Sequence, residues 1–351
     1  MLLIFSAAIN AKDQLPIEVK QQLLQGQFKQ AVQQLEILVA KNNIIFGPIN
    51  SRRFGMSLGI DLSPALKQCN FDCLYCELAP ALTMDKQVNT ITIDEIIKEL
   101  KLHLNENIDV ITLTANGEPT LYPQMSELID AIDKVKGKTE TLILTNSATL
   151  IDENVYKALL KLDQVKLSLD AISPDIFRKI DRPHESIKVE DIVNRVIAFS
   201  KEYKGKLFIE ILFVHELNDT KEEIQKLNDV LLDVNALRVD IGTIDRPPAY
   251  PVVGVSYKEL HTIAMAFDSA LPIHIASRIH AEPNNAYYSD EEILNTLDKR
   301  PLTREDTKLL FDEDTQKSLE RLVKNGEISV KSVSNLEFLV PSENLKRKRN
   351  K

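Results

Sequence analysis

The chain has 351 residues, 44% hydrophobic and 27% charged, with 43 Lys and Arg against 52 Asp and Glu and a formal net charge of −9. That length allows one large domain or two to three smaller ones, and the composition excludes wholesale disorder, a collagen-like fibre and a coiled coil. No apolar run reaches the roughly 20 residues a bilayer span needs, so no membrane partner is expected, and the acidic balance supplies no chain-wide positive field for nucleic acid.

The amino end, MLLIFSAAINAKDQ, is apolar but has no basic residue before Lys12. A packed terminal segment or an over-extended start fits it better than a secretory signal, and a cytoplasmic location is expected. From Leu15 to Lys41, Leu23, Leu24, Phe28, Val32, Leu35 and Leu38 recur at helical spacing, so residues 1–44 read as an N-terminal helical extension. From about residue 57 β-branched runs alternate six times with helical patterns. The predicted strands are 57–63, 110–115, 141–146, 165–170, 206–214 and 237–243. Predicted helices cover 93–104, 122–135, a segment capped by Asp152, 173–203, a segment after Asp219, and 256–267. This alternation predicts an α/β fold, a partial (β/α)6 TIM-like barrel over residues 45–285. The alternative, an open doubly wound sheet, lacks its Gly-rich dinucleotide turn. In a parallel barrel the chemistry lies at the carboxyl ends of the strands.

After the short apolar run PIHIAS (272–277) the pattern changes to helices over 290–299, 304–311 and 315–325, then a hairpin over 328–340. That order predicts a C-terminal winged helix-turn-helix over 286–342, followed by a basic tail, 343–351. On its third helix Lys317, Arg321 and Lys324 share one face while Leu319, Leu322 and Val323 point elsewhere. This helix and the tail are the expected contact with RNA or DNA, with a protein-docking role as the alternative.

All three cysteines, Cys69, Cys73 and Cys76, fall in KQCNFDCLYCEL, directly after the first predicted strand. An odd, clustered set argues against a disulfide framework and for a metal or redox site in a reducing compartment. Three thiolates at CxxxCxxC spacing can hold three corners of a cubane cluster and leave one iron open to a chelating ligand. The alternative is a zinc site of three cysteines and a histidine, for which the nearest later histidine is His103, far along a helix. His184, His215, His261, His274 and His280 show no ligand spacing.

The segment CNFDCLYC resembles the signature of the radical S-adenosylmethionine (radical SAM) superfamily, whose residue before the last cysteine is aromatic; here it is Tyr75. The resemblance covers roughly residues 45–285. It implies that Cys69, Cys73 and Cys76 hold a [4Fe-4S] cluster whose unique iron is chelated by S-adenosylmethionine. It further implies that an electron from a donor such as flavodoxin or ferredoxin cleaves that cofactor to methionine and a 5'-deoxyadenosyl radical. ANGEPT (115–120) is similar to the family's Gly-Gly-Glu-like motif, with Asn116 in place of the first glycine, so Gly117, Glu118 and Pro119 are carried over as cofactor contacts. A glycine there would let backbone approach a ligand, and a plain surface turn is the alternative. LSLDA is similar to the ribose-contacting motif and supplies Ser168 and Asp170 on one strand face. Asn218, after the fifth strand, and Asn146, after the third, are further mouth candidates with a helix cap as the alternative for each.

FGPINSRRFG (46–55) and IDRPPAYP (244–251) resemble stretches of small iron-sulfur oxidoreductases related to the wyosine-forming tRNA-modifying enzymes. Their Arg52, Arg53 and Arg246 either bind a substrate carboxylate or phosphate or form salt bridges. The expected function is a radical SAM enzyme, with nucleic-acid modification leading. The rivals are a small-molecule or cofactor-biosynthetic radical enzyme and a noncatalytic iron-sulfur regulator that binds DNA.

Overall fold

The computed structural model describes residues 44–51, 53–64, 67–88, 90–275, 287–299, 301–333 and 336–342. The expected N-terminal helix, Arg52, His280 and the basic tail lie outside the described residues. One sheet holds eight strands in chain order: β1 (Ile45–Ser51), β2 (Gly55–Asp61), β3 (Val110–Thr114), β4 (Glu140–Thr145), β5 (Gln164–Ser168), β6 (Lys206–Phe213), β7 (Arg238–Thr243) and β8 (Ile273–Ile275). β1 runs antiparallel to β2, and every later neighbour pair is parallel. The order never reverses, which is the winding of a partial TIM-like barrel and not of a doubly wound sheet. Two strands exceed the six expected: β8, and β1, whose IFGPINS run stands out in the sequence only for its neighbouring arginines.

Helices α1 (Ile93–His103), α2 (Met125–Asp133), α3 (Glu153–Leu159), α4 (Pro174–Ile180), α5 (Val189–Glu202), α6 (Lys221–Leu232) and α7 (Tyr257–Ala264) connect the parallel strands. Their starts are written in short polar side chains. Thr92 and Ser256 close capping boxes with Glu95 and Glu259, and Asp152 accepts from the Asn154 backbone N–H at 2.8 Å. Thr220 caps α6, which starts after Asp219 as expected. Alternate strand residues such as Ile60, Leu113, Ile143, Leu167 and Ile211 are fully buried and share one core with Leu128, Ile132 and Phe199 of the helices. Period two therefore assigns the other strand positions to the opposite, inner face.

A second sheet, in the order β10 (Ile328–Val333), β11 (Leu336–Pro341), β9 (Leu302–Thr303), packs with α8 (Asp290–Lys299), α9 (Arg304–Leu310) and α10 (Glu313–Lys324). Its separate apolar core includes Ile293, Leu297, Phe311, Leu322 and, from the first sheet, Ile49 of β1. Tyr288 also donates its hydroxyl to the Pro48 carbonyl. The C-terminal unit thus sits on the edge strand, where open ladder groups would otherwise invite pairing. Among the described residues, no helix is long and apolar enough to cross a membrane.

Candidate active site

The three thiols lie half-buried on the loop between β2 and α1. That loop is stitched to the carboxyl ends of several strands through its backbone. The Gln68 N–H donates to Asn116 O at 2.8 Å, and the Glu118 N–H returns to Gln68 O at 2.9 Å. Leu74 N–H donates to Ile180 O, His184 N–H to Asn70 O, and Ala249 N–H to Cys76 O, each at 2.8 Å. Burial pushes the Cys69 thiol up to about 12 and raises Cys73 and Cys76 as well, while Lys67 pulls Cys69 and Cys76 the other way. The cysteines also repel one another's charge, so the three sulfurs are electrostatic neighbours. Among the described residues no three His, Cys, Asp or Glu side chains converge on one metal position. Sulfurs that each take a different corner of a cluster have no need to do so.

Gly117 has φ +136°, and a Cβ there would stand 1.9 Å from the Gln68 carbonyl oxygen. The close approach of the cysteine loop's own backbone is thus a reason for this glycine that the sequence did not show. Glu118 is buried, and all its partners are protein groups: the Thr120 N–H at 3.0 Å and hydroxyl, the Thr145 hydroxyl at 2.7 Å and the Asn146 N–H at 2.8 Å. Pro119 opens a buried 3-10 turn, Pro119–Leu121. Asn146, held in this way, donates its amide to Asn70 at 2.6 Å and lies 3.9 Å from Cys69 Sγ.

Tyr75, Asn146, Ser168, Asp170 and Asp181 line one crevice with room for about one water, so Ser168 and Asp170 do share a face. The Tyr75 hydroxyl donates to Asp170, whose other oxygen accepts the Leu212 N–H at 2.7 Å. Burial raises the Asp170 carboxyl to about 6. It raises Asp181 still further, with the Asp170 charge adding to the effect, and Cys73 Sγ lies 3.5 Å from Asp181. Asn218 departs from its expected place at the mouth. It is fully buried, accepts from Val214 N–H at 2.8 Å and donates to Asp170 O and Leu212 O at 2.8 and 2.9 Å, so it braces the end of β6 with no polar group left over.

Both described arginines of the basic stretches form salt bridges inside the protein. Arg53 Nη1 meets Glu210 and Asp240 at 2.9 Å each, and Arg246 pairs with Glu77, next to Cys76. Several residues of the site escaped the sequence reading. Asp72, between two cysteines, pairs with Lys67 at 3.0 Å and Arg182 at 3.4 Å and accepts the Tyr250 hydroxyl, with Arg182 stacked 4.5 Å over the Tyr250 ring. Burial would push the Asp72 carboxyl up, but Tyr250 and Lys67 hold it below its ordinary value. The loop 244–251 is thereby clamped over the cysteine loop. Its Tyr250 and the motif's own Asp72 were the visible signal.

The sequence pattern of the radical SAM superfamily matches residues 64–228, a segment that begins just before the cysteines. A UPF0026 protein of Helicobacter pylori is 38% identical over 306 residues, covering 86% of this chain and 99% of its own. The GTP 3',8-cyclase of Alkaliphilus oremlandii is 30% identical over 173 residues, 49% of this chain and 53% of that one. A radical SAM methyltransferase from Sphaerobacter thermophilus shares the fold with a TM-score of 0.51 at 12% identity, over 63% of this chain and 66% of that chain. The cysteine loop lies inside the matched segment and the likeness to the UPF0026 protein runs nearly end to end: the chain belongs to the radical SAM superfamily of enzymes, whose cofactors are S-adenosylmethionine and a [4Fe-4S] cluster.

Proposed function

We propose that Cys69, Cys73 and Cys76 hold the cluster and that the enzyme uses the resulting radical chemistry on a small polar molecule. The observation that carries this reading is the set of three neighbouring, half-buried thiols on a loop whose shape is already fixed from three sides. The donor set fits a cubane with one open iron, because the chain has no fourth cysteine. When bound, the cluster supplies the electron that cleaves S-adenosylmethionine to methionine and a 5'-deoxyadenosyl radical. An external donor such as flavodoxin or ferredoxin recharges it.

Around that centre the protein's own groups hold and orient. Lys67 sets a positive charge beside Cys69 and Cys76 and so eases thiolate formation, which metal binding requires. The turn of Gly117 and Pro119 is locked to the cysteine loop and offers backbone to the amino-acid end of the cofactor. Tyr75, Ser168 and Asp170 line a narrow crevice beside which its ribose would lie. Glu118 fixes Asn146, and Asn218 fixes the Asp170 backbone.

We read residues 45–285 as the catalytic domain and 286–342 as a winged helix. The basic face of that unit is largely neutralised, since Lys317 pairs with Asp314 at 2.8 Å and Arg321 with Asp290 at 2.6 Å. This pairing favours a small-molecule substrate over nucleic acid, and the likeness to a GTP 3',8-cyclase supports the same choice. The test is anaerobic cluster reconstitution followed by reductant and S-adenosylmethionine, with and without bulk tRNA. Wild type is expected to form 5'-deoxyadenosine and each Cys→Ala variant none. Stimulation by tRNA would overturn the choice of substrate class, and no cleavage with any reductant would overturn the reading itself.

A further inference from the structure

The inner face of the sheet is not the apolar plug that usually fills a parallel barrel. Midway along three adjacent strands it carries Lys166 on β5, Glu210 on β6 and Asp240 on β7. Lys166 pairs with Glu210 and lies 3.8 Å from Asp240. From the β1–β2 turn Arg53 reaches both carboxylates, Arg238 Nε holds Asp240 at 2.8 Å, and His274 Nδ1 lies 3.1 Å from it. Ion pairs sealed away from water seldom improve stability, and this set is not sealed. The Glu210 side chain is 33% exposed and Leu144, on the same face of β4, is 37% exposed, whereas their helix-side neighbours Ile209 and Ile143 are fully buried. Solvent therefore reaches this face at Arg53 and Glu210, while Lys166 and Asp240 behind them are buried.

The basic and acidic groups of this cluster are unequal in number. Two arginines, Arg53 and Arg238, and Lys166, whose burial beside Arg53 lowers its pKa from the ordinary lysine value, surround two carboxylates. Asp240 is fully buried with both oxygens bonded. Glu210 uses only Oε1, and Arg53 only Nη1, among the described residues. The cluster also adjoins the cofactor crevice: Glu210 is the register partner of Ser168, and its charge contributes to raising Asp170.

We propose that this inner-face cluster is the subsite for the anionic head of the substrate, a carboxylate or a phosphate bound by Arg53 with Lys166 behind it, so that the rest of the molecule extends toward Ser168 and Asp170. Calling the ligand a substrate rests on the radical SAM reading; the anion site itself does not. Its partners explain the chemistry selected. Among the described residues the planar Arg53 guanidinium keeps two nitrogens for a bidentate contact, and the two arginines, Arg53 and Arg238, favour an anion over an amine.

The experiment is titration of the as-purified protein with inorganic phosphate in one arm and acetate in the other, at ionic strength held constant with chloride, read by calorimetry and thermal shift. One arm is expected to saturate and so identify the head group. Arg53→Gln should weaken that binding about tenfold by removing the charged bidentate donor. Glu210→Gln should tighten it about threefold or more, because an amide no longer competes for the cations. A purely structural network would not give opposite signs. The proposal is overturned if neither anion saturates on wild type, if Arg53→Gln leaves the affinity unchanged, or if Glu210→Gln weakens it; where Arg53→Gln does not fold, the Glu210→Gln result decides alone. Formation of 5'-deoxyadenosine by wild type, measured without either anion, tests the radical reading separately, so intact cleavage with no anion binding sinks only the subsite.

Discussion

Gly117 combines a left-handed φ of +136° with a gap of only 1.9 Å between a virtual Cβ and the Gln68 carbonyl oxygen. Gly117→Ala should cost about 1–3 kcal/mol from backbone strain alone and must also push the cysteine loop away. Iron and sulfide content per chain is expected to fall together with thermal stability. Full iron loading with loss of S-adenosylmethionine affinity alone would show that the loop tolerates the methyl group. Asn218→Ala should destabilise by about 2–4 kcal/mol, measured by urea unfolding, because it strands buried backbone groups at Val214, Leu212 and Asp170. A residue that only touched the cofactor would leave unfolding unchanged. Asp170 gives a pH signature. Its folded value of about 6 lies above the unfolded 3.8, so the native state holds a proton that the unfolded chain has released. Stability is therefore expected to fall as pH rises from about 4 to about 6. Asp170→Asn should reduce that slope in urea titrations across the window, with Asp181 supplying the remainder. Ser168 and Asp170 were legible from strand alternation, but the role of Asn218 was not, because its partner Asp170 lies 48 residues earlier in the chain.

Among the elements, the helices were the most legible, since Thr92, Asp152 and Ser256 announce their starts in local sequence. β1 was hidden. Gly47 and Pro48 interrupt its pattern, and proline is tolerated there because the strand is at the sheet's edge and its register shifts between Phe46 and Ile49. What makes it a strand is tertiary: β2 on one side and the C-terminal unit against Ile49 on the other. Ile49→Ala should leave a cavity costing about 2–5 kcal/mol, felt by the C-terminal unit first. Limited proteolysis is expected to cut within α8 to α10 sooner than in wild type while iron content holds. Unchanged protection would mean that β1 is not the seat of that unit. The basic stripe on α10 was visible in the sequence, whereas the Asp290 that occupies Arg321 comes from a different helix, 31 residues earlier.

For the molecule as a whole, the proposed small-molecule substrate predicts little attraction for polyanions, in keeping with a net charge of −9 and the pairing of Lys317 and Arg321. Filter binding to RNA and DNA at low salt is expected to show weak retention; tight retention that falls steeply with added salt would contradict this. Helix-strand alternation made the winding of the sheet legible, because each parallel pair joins segments close in sequence. The inner-face charges were not singled out, since single Lys, Glu and Asp residues inside VKLSLD, KLFIEILFV and LRVDIGT look like ordinary solvated positions until the strands are set side by side. The stitching of the cysteine loop has a consequence in time. Its backbone partners at Asn116, Ile180 and Ala249 leave the ribosome long after the cysteines do, so the nascent thiols lie on an unshaped segment until the seventh strand and its following loop have been made. On the proposed ligand set, cluster delivery is therefore expected late in biogenesis, and a stalled or truncated chain would present loose, oxidisable thiols in place of a metal-ready nest.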